Sequence, residues 1–272
     1  MARGEGLEAR PVKKPKGDYT IQTVLNAVRV LDAFREKDEY GVTELAQKLG
    51  LHKNNVFRLF ATLEQAGYIE ETADERYRLG VRCLEVGQAF RRGRQVVQCA
   101  RPLLEGLARE IAESAHLSLL SGFEVLCVDS VAPDRLVGTR GRAGTRLPGH
   151  CTAAGKVLLA CGPEALRARL DRAVATDGGL APRTGQTIVD PHKFFEHLRT
   201  VRVEGFATDF EECEAGLVCA GAPVHDVTGQ VVAALSVSGP AFRLPEDRLL
   251  RDVVRLLVEA GERLSRALGY VA

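Results

Sequence analysis

This sequence of 272 residues is short of several things, and each shortage excludes a class of protein. It has almost no net charge, +1 from 37 Lys/Arg and 36 Asp/Glu, so it cannot coat a polyanion by bulk electrostatics. Residues 1–80 balance 13 basic against 13 acidic side chains. Any nucleic-acid binding there rests on local placement, with weak non-specific affinity per subunit. No apolar run approaches the roughly 18 residues of a membrane span, and the N-terminus lacks the apolar core of a signal peptide. No membrane partner is expected.

The seven cysteines (Cys83, Cys99, Cys127, Cys151, Cys161, Cys213, Cys219) are odd in number and contain no Cys-x-x-Cys pair. They read as reduced thiols of a cytoplasmic protein rather than a disulfide framework. His150, Cys151, Cys213 and Cys219 are zinc-type residues without the close pairing of a structural zinc site. Ala154-Gly155-Lys156 lacks the preceding glycine of a phosphate loop, so no nucleotide or other cofactor is expected. Cys219, His150 and Asp209 are the residue types of a cysteine hydrolase, yet no glycine-bracketed nucleophile elbow occurs, and catalysis is not expected. The chain contains no internal repeat.

What is present is concentrated in residues 42–80, VTELAQKLGLHKNNVFRLFATLEQAGYIEETADERYRLG. A short helix carrying Leu45 and Ala46 inward ends at Gly50, which suits a left-handed C-cap. A second helix follows from Lys53 to about Ala66. At 100° per residue it gathers Val56, Leu59, Phe60 and Leu63 on one side. The other side holds Lys53, Asn54, Asn55, Arg58, Thr62 and Gln65 without a carboxylate. Amides and guanidinium are the groups that pair with adenine and guanine edges in the major groove. This is the organisation of a helix-turn-helix with the recognition helix second. Two short strands around a turn at 72–75 then make a wing, with Tyr77 and Leu79 on one face and Arg76 and Arg78 on the other. Those arginines are expected to hold the phosphate backbone.

Around this core, residues 1–17 are basic and rich in Gly and Pro, and are read as a disordered tail. Residues 20–37 form an amphipathic helix through Ile21, Val24, Leu25, Val28, Leu31 and Phe34 that supports the two short ones. Residues 82–100 are a connector helix ending in Arg91, Arg92 and Arg94, with Pro102 opening the next helix. Beyond it, hairpins at 116–131 and 216–239 alternate with helices at 152–161, 164–173, 191–203 and 245–268. That mixture predicts an α+β sensor-like domain with helices mainly on one side of the sheet. The domain plan is therefore tail 1–17, winged helix 18–81, connector 82–100 and C-terminal domain 101–272.

The order winged helix-turn-helix, connector, TAAGK, GFATDFEE, AGLVCAGAPVHD, TGQVVAALSVSGP resembles the IclR family of bacterial transcriptional regulators from about Ile21 to Tyr270. The resemblance implies a GAF-like effector-binding and oligomerisation domain, a dimer or tetramer, and a palindromic double-stranded operator. It also implies an effector that is a small carboxylate or a hydroxylated aromatic. It assigns Ala153 and Ala154 as backbone donors, Asp209 as the acidic residue, Cys219 on the next strand, and Ser236 and Ser238 as paired serines. Leu136 and Thr139 fall in the pocket wall. His52 stands where many members carry Pro or Ser. The remaining readings are a C-terminal domain that only oligomerises and the cysteine hydrolase above.

Overall fold

A computed structural model describes residues 20–92, 94–135, 142–176 and 180–271. The tail at 1–17 lies outside them, as do Leu136 and Thr139. The chain divides between Phe90 and Arg91 into two compact units, inside the segment read as a connector.

In the first unit, α1 (Gln22–Ala33), α2 (Val42–Leu49) and α3 (Lys53–Gln65) precede a two-stranded wing, β1 (Ile69–Glu71) and β2 (Tyr77–Leu79). Gly50 turns the chain between α2 and α3 at φ +64°, a conformation that costs a side-chain-bearing residue free energy. The four apolar residues expected inside α3 are all buried, together with Leu45, Ala46, Ile69 and Tyr77. Phe60 sits at the centre, its ring 4.3 Å from that of Tyr77 and 6.5 Å from that of Phe34.

Two expectations here need correction. The apolar stripe of α1 is only partly its buried face: Ile21, Val24, Leu25 and Val28 are exposed, while Phe34 is buried and Leu31 packs against the core, joined there by Val30 and Ala33. The helix carries two apolar faces, and periodicity alone does not say which one the chain itself covers. Leu79 is also exposed while Tyr77 is buried; across the ribbon from Leu79 it is Ile69 that enters the core.

The helix α4 (Val81–Arg92) is followed by α5 (Gln95–Ile111). Pro102 lies inside α5 rather than opening it. Its ring faces outward, and burial of Val97, Ala100, Leu104, Leu107 and Ile111 along the opposite stripe carries the helix past the one lost hydrogen bond.

The second unit is built on six antiparallel strands in the order β5-β4-β3-β8-β7-β6. They are β3 (Ser114–Ser121), β4 (Glu124–Val131), β5 (Arg146–Pro148), β6 (Ala207–Phe210), β7 (Leu217–His225) and β8 (Val231–Pro240). Helices cover both faces, not mainly one. On one side α5 and α10 (Val254–Ala267) pack on Leu117, Ala220, Ala222, Val224, Leu235 and Val237. A short α9 (Glu246–Arg248) and a π-helical turn (Leu249–Val253) lead into α10, keeping Leu249 and Val253 in that core. On the other side α6 (Ala153–Cys161), α7 (Glu164–Thr176) and α8 (Pro191–Glu204) pack on Val125, Ala207 and Ala234. The near-continuous apolar runs of β7 and β8 are those of strands buried on both faces.

Phe60→Ala should destabilise the first unit by about 3–5 kcal/mol, read as a lowered denaturant midpoint for the transition reported by far-ultraviolet circular dichroism. A loss under about 1 kcal/mol would show that its ring is not central to this core.

Candidate functional site

On α3 the residues assigned to DNA contact share one exposed surface. Lys53, Asn54, Asn55, Arg58 and Thr62 are all exposed, and Phe57 stands on the flank of the same face, 57 % exposed. The side chains of Lys53, Asn54, Asn55 and Arg58 have no hydrogen-bond or ion-pair partner among the described residues. Thr62 donates its hydroxyl to the carbonyl of Arg58 at 2.8 Å. The helix start is held by His52, whose Nδ1 accepts the N–H of Asn54 at 3.3 Å. An imidazole thus does the work usually left to Ser, Thr or Asp.

The wing arginines differ from expectation. Arg76 is turned inward: it donates to Glu44 at 2.9 Å and to the carbonyl of Glu39 at 3.0 Å. Lys37 and then Arg76 hold the Glu44 carboxyl down at about 2. Arg76 therefore ties the wing to the start of α2, because that acidic cluster lies closer than any phosphate. Arg78 pairs with Glu70 across the hairpin at 2.6 Å, in an exposed position that solvent weakens.

In the second unit, β3, β7 and β8 are polar on the face toward α6, and a small cavity of about 50 Å³ opens there. Register explains the grouping. Asp209 pairs with Cys219, Cys219 with Ser238, and Ser238 with Ser114, making one row across four strands. The next row runs Ala207, Gly221, Ser236 and His116. The N-terminus of α6 comes down on Gly221: a Cβ there would lie 2.9–3.0 Å from the backbone of Ala153 and Ala154, so only glycine admits the approach. Thr152 caps α6 by accepting the N–H of Gly155 at 3.3 Å. The N–H groups of Ala153 and Ala154, in the first turn, have no acceptor within the helix. Together with the dipole they suit an anion.

The ionisable groups lining this space are perturbed for identifiable reasons. Asp209 is 1 % exposed. Its Oδ1 accepts the N–H groups of Glu212 at 2.7 Å and Cys213 at 3.4 Å; Oδ2 has no conventional hydrogen-bond partner among the described residues, and the Cys219 thiol on the paired strand faces the carboxylate. Burial raises its carboxyl to about 6, against the opposing pull of the Glu212 N–H. His116 is 5 % exposed, and its ring nitrogens meet the hydroxyls of Ser130 at 2.9 Å and Ser238 at 2.8 Å. Burial, then the charge of Arg142, lowers it to about 4, so the ring is neutral near pH 7. Beneath the cavity the fully buried Lys156 donates to Glu212 and, at 3.0 Å, to the carbonyl of Thr208. Arg142 lines the cavity and reaches Glu214 at 3.2 Å.

Six of the eight residues assigned to the effector site, Ala153, Ala154, Asp209, Cys219, Ser236 and Ser238, line this one cavity; Leu136 and Thr139 lie outside the described residues. Ser238 has its hydroxyl on His116, and among the described residues Ser236 has no side-chain hydrogen bond. His116 and Arg142 were not anticipated. The alternation Ser114, His116, Ser118 on a buried strand was the available signal for His116. Nothing in the glycine-rich stretch around Arg142 marked it. The hydrolase triad is not assembled: His150 bonds the carbonyl of Ala181 at 2.9 Å and does not line the cavity. Burial also pushes the Cys219 thiol well above its ordinary value, the wrong direction for a nucleophile. The basic cluster closing α4 does more than face the helix dipole, since Arg91 and Arg101 both pair with the buried Asp129 at 3.1 Å.

The raised Asp209 carboxyl makes stability depend on pH. Its contribution is fully present below the unfolded value of 3.8 and is lost as pH rises through about 6. Relative to Asp209→Asn, the unliganded protein should lose up to about 3 kcal/mol over that interval. Urea unfolding of both proteins at several pH values measures it, and a pH-independent difference would refute the assignment.

Comparison with known proteins completes the picture. The IclR helix-turn-helix domain model matches residues 23–73, and the model for the bacterial transcriptional regulator IclR C-terminal matches residues 88–266. The transcriptional regulator XynR of Escherichia coli is 34 % identical, covering 93 % of this chain and 99 % of its own. The crystal structure of Thermotoga maritima IclR superimposes with a TM-score of 0.74 at 31 % identity, over 92 % of this chain and 99 % of that one. An IclR homolog from Microbacterium hydrocarbonoxydans, complexed with 4-hydroxybenzoate, gives 0.76 at 25 % identity, over 90 % and 98 %. With a winged helix-turn-helix, a two-faced α+β domain and matches running nearly end to end, this chain belongs to the IclR family: it is a DNA-binding transcriptional regulator, not an enzyme.

Proposed function

We propose that this regulator reads a palindromic operator through Lys53, Asn54, Asn55, Arg58 and Thr62, and that a small organic acid or hydroxylated aromatic in the α6–β7–β8 cavity modulates the binding. The winged helix is assigned to residues 18–81, the connector to 82–100, and effector binding and oligomerisation to 101–272. The observation that carries the reading is the cavity itself. It sets first-turn N–H groups of a helix beside the Ser236 hydroxyl and the half-used Asp209 carboxyl. That is a few convergent polar groups in a partly apolar pocket, the form of a small-molecule site. The 4-hydroxybenzoate of the Microbacterium homolog belongs to the same chemical class.

The protein acts as a homo-oligomer. Ile21, Val24, Leu25 and Val28 form an exposed apolar stripe on α1, and α4 leaves Val81 and Leu84 exposed on one side and Val86 and Phe90 on the other. A second copy would cover such faces. Two recognition helices would then address half-sites about one helical turn of DNA, or a multiple of it, apart. The effector acts by binding one dimer state better than the other. Arg78, exposed on the wing, exchanges Glu70 for a phosphate, whereas Arg76 stays with Glu44 and acts on the fold of the wing. Among the described residues no helix is long and apolar enough to cross a membrane; the cytoplasm is assigned as the compartment in which a DNA-binding regulator meets its operator.

Arg58→Ala should weaken operator binding by about 1–3 kcal/mol and relax base preference at one position of each half-site; footprinting with an unchanged pattern would remove it from the interface. A thermal-shift screen of small organic acids and aromatic catabolites should raise the melting temperature. Ser236→Ala should reduce the shift given by the best of them, with about 1 kcal/mol lost per neutral hydrogen bond. Binding as tight as wild type would move the site elsewhere.

A further inference from the structure

Resting on the assignment of α3 as the base-reading helix, we infer that Phe57 is a specificity-determining residue whose ring recognises the C5-methyl group of a thymine in each operator half-site. Single exposed apolar side chains are ordinary, so placement decides. Phe57 is 57 % exposed, on a helix whose buried side is already filled by Val56, Leu59, Phe60 and Leu63. At 100° per residue it lies about 110° around the helix from the centre of that buried stripe, between Lys53 at about 70° and Asn54 at about 170°. Ala61, one turn further along, is exposed beside it. Residues 53–61, one turn to either side of Phe57, contain no carboxylate. Cations, amides and an apolar spot therefore share one surface.

That mixture matches the major groove. The base edges there offer hydrogen-bond donors, acceptors and one apolar group, the thymine methyl. Lys53, Asn54, Asn55 and Arg58 suit the donors and acceptors. A phenyl ring suits neither them nor the phosphates, which reward a cation or a donor. Pressed against a polar edge, the ring would strip water from it and return no hydrogen bond. Against the methyl group, both surfaces lose water without that cost. The chemistry also isolates the contact. Uracil differs from thymine by the methyl alone, so exchanging the two removes the apolar group and leaves every hydrogen bond of the base pair in place.

The rival role for Phe57 is to pack on the deoxyribose at the groove wall. The ring would then add affinity at any sequence, and methyl groups would not matter to it. The two roles separate in a double-mutant cycle between protein and DNA.

The test uses the full-length protein and duplexes carrying the sequence that it enriches from a random DNA pool. Each thymine is replaced in turn by uracil, and binding is followed by fluorescence anisotropy at one fixed salt concentration. At one thymine in each half-site the exchange should weaken wild-type binding about fourfold, the scale of one buried methyl or methylene group. Phe57→Ala should bind the thymine duplex more weakly than wild type and should be indifferent to the exchange at that position. Its melting temperature should stay at the wild-type value, because the ring is outside the core. Wild-type binding that ignores every thymine methyl overturns the inference, as does a Phe57→Ala protein that still loses about fourfold on the exchange. An enriched half-site with no thymine on either strand overturns it as well. In each of these cases, relaxed base preference in Arg58→Ala leaves α3 standing as the reading helix, and only the role of Phe57 falls. If neither variant alters the footprint, or no sequence is enriched at all, the reading of α3 falls and this inference with it.

Discussion

The second unit depends on one close approach, that of the α6 N-terminus to β7 at Gly221. Everything at the cavity follows from it. The helix can aim its first N–H groups at the sheet only because no Cβ intervenes. Once it is there, the strand face below it must answer polar groups with polar groups. The rows Asp209–Cys219–Ser238 and Ser236–His116 are that answer. Opposite them the same strands carry Ala220, Ala222, Val224, Leu235 and Val237 into a purely apolar layer under α5 and α10. One sheet thus serves as a core on one side and as a binding floor on the other.

Burying charge beside such a floor is costly unless partners are arranged. Lys156 and Glu212 solve the problem as a pair, with Thr208 supplying a second acceptor. Asp209 is only half solved: its carboxyl is raised by burial and one oxygen is left over. Polar groups that a fold buries and does not satisfy are tolerated where they meet something else. The stability given up in the unliganded protein is the free energy that a ligand can recover.

Much of this was legible in the sequence, and the parts that were not share a cause. The buried face of α3 follows from helical spacing, and the whole HTH core agrees with it. The residues assigned on α6, β6, β7 and β8 come through the family resemblance of their motifs, not through a local signal of their own, and the fold brings them to one cavity. What escaped were relations between distant segments. The exposed part of the α1 stripe looks internal until Val30 and Ala33 are seen to join Phe34 in the core. Arg76 looks like a phosphate contact until Glu44, on another helix, takes it. Pro102 looks like a helix start until the stripe on either side of it is found buried as one. His116 enters the cavity only through strand register, and Arg142 lines it from a stretch that carries no motif. Helices on both faces of the sheet are implied by the unbroken apolar runs of β7 and β8, which alternation rules pass over.

With equal numbers of acidic and basic residues through its first 80 positions, the reading domain gains little from long-range attraction to DNA, so the proposed interface on α3 has to draw its affinity from a few local contacts. Binding that is modest per subunit is sensitive to whether two subunits can engage at once. Moving a two-state equilibrium from about 1:99 to 99:1 requires about 5.5 kcal/mol of differential affinity. Hydrogen bonds to charged groups contribute about 1.5–3 kcal/mol each. Two or three such bonds, formed in one state and absent in the other, are enough. The cavity offers about that number, from the α6 N–H groups, Ser236 and Asp209. A site of this size can therefore switch the protein only if nearly all of its polar contacts are made in one state alone. That requirement falls on the junction of α6 with β7, since it alone brings those groups together.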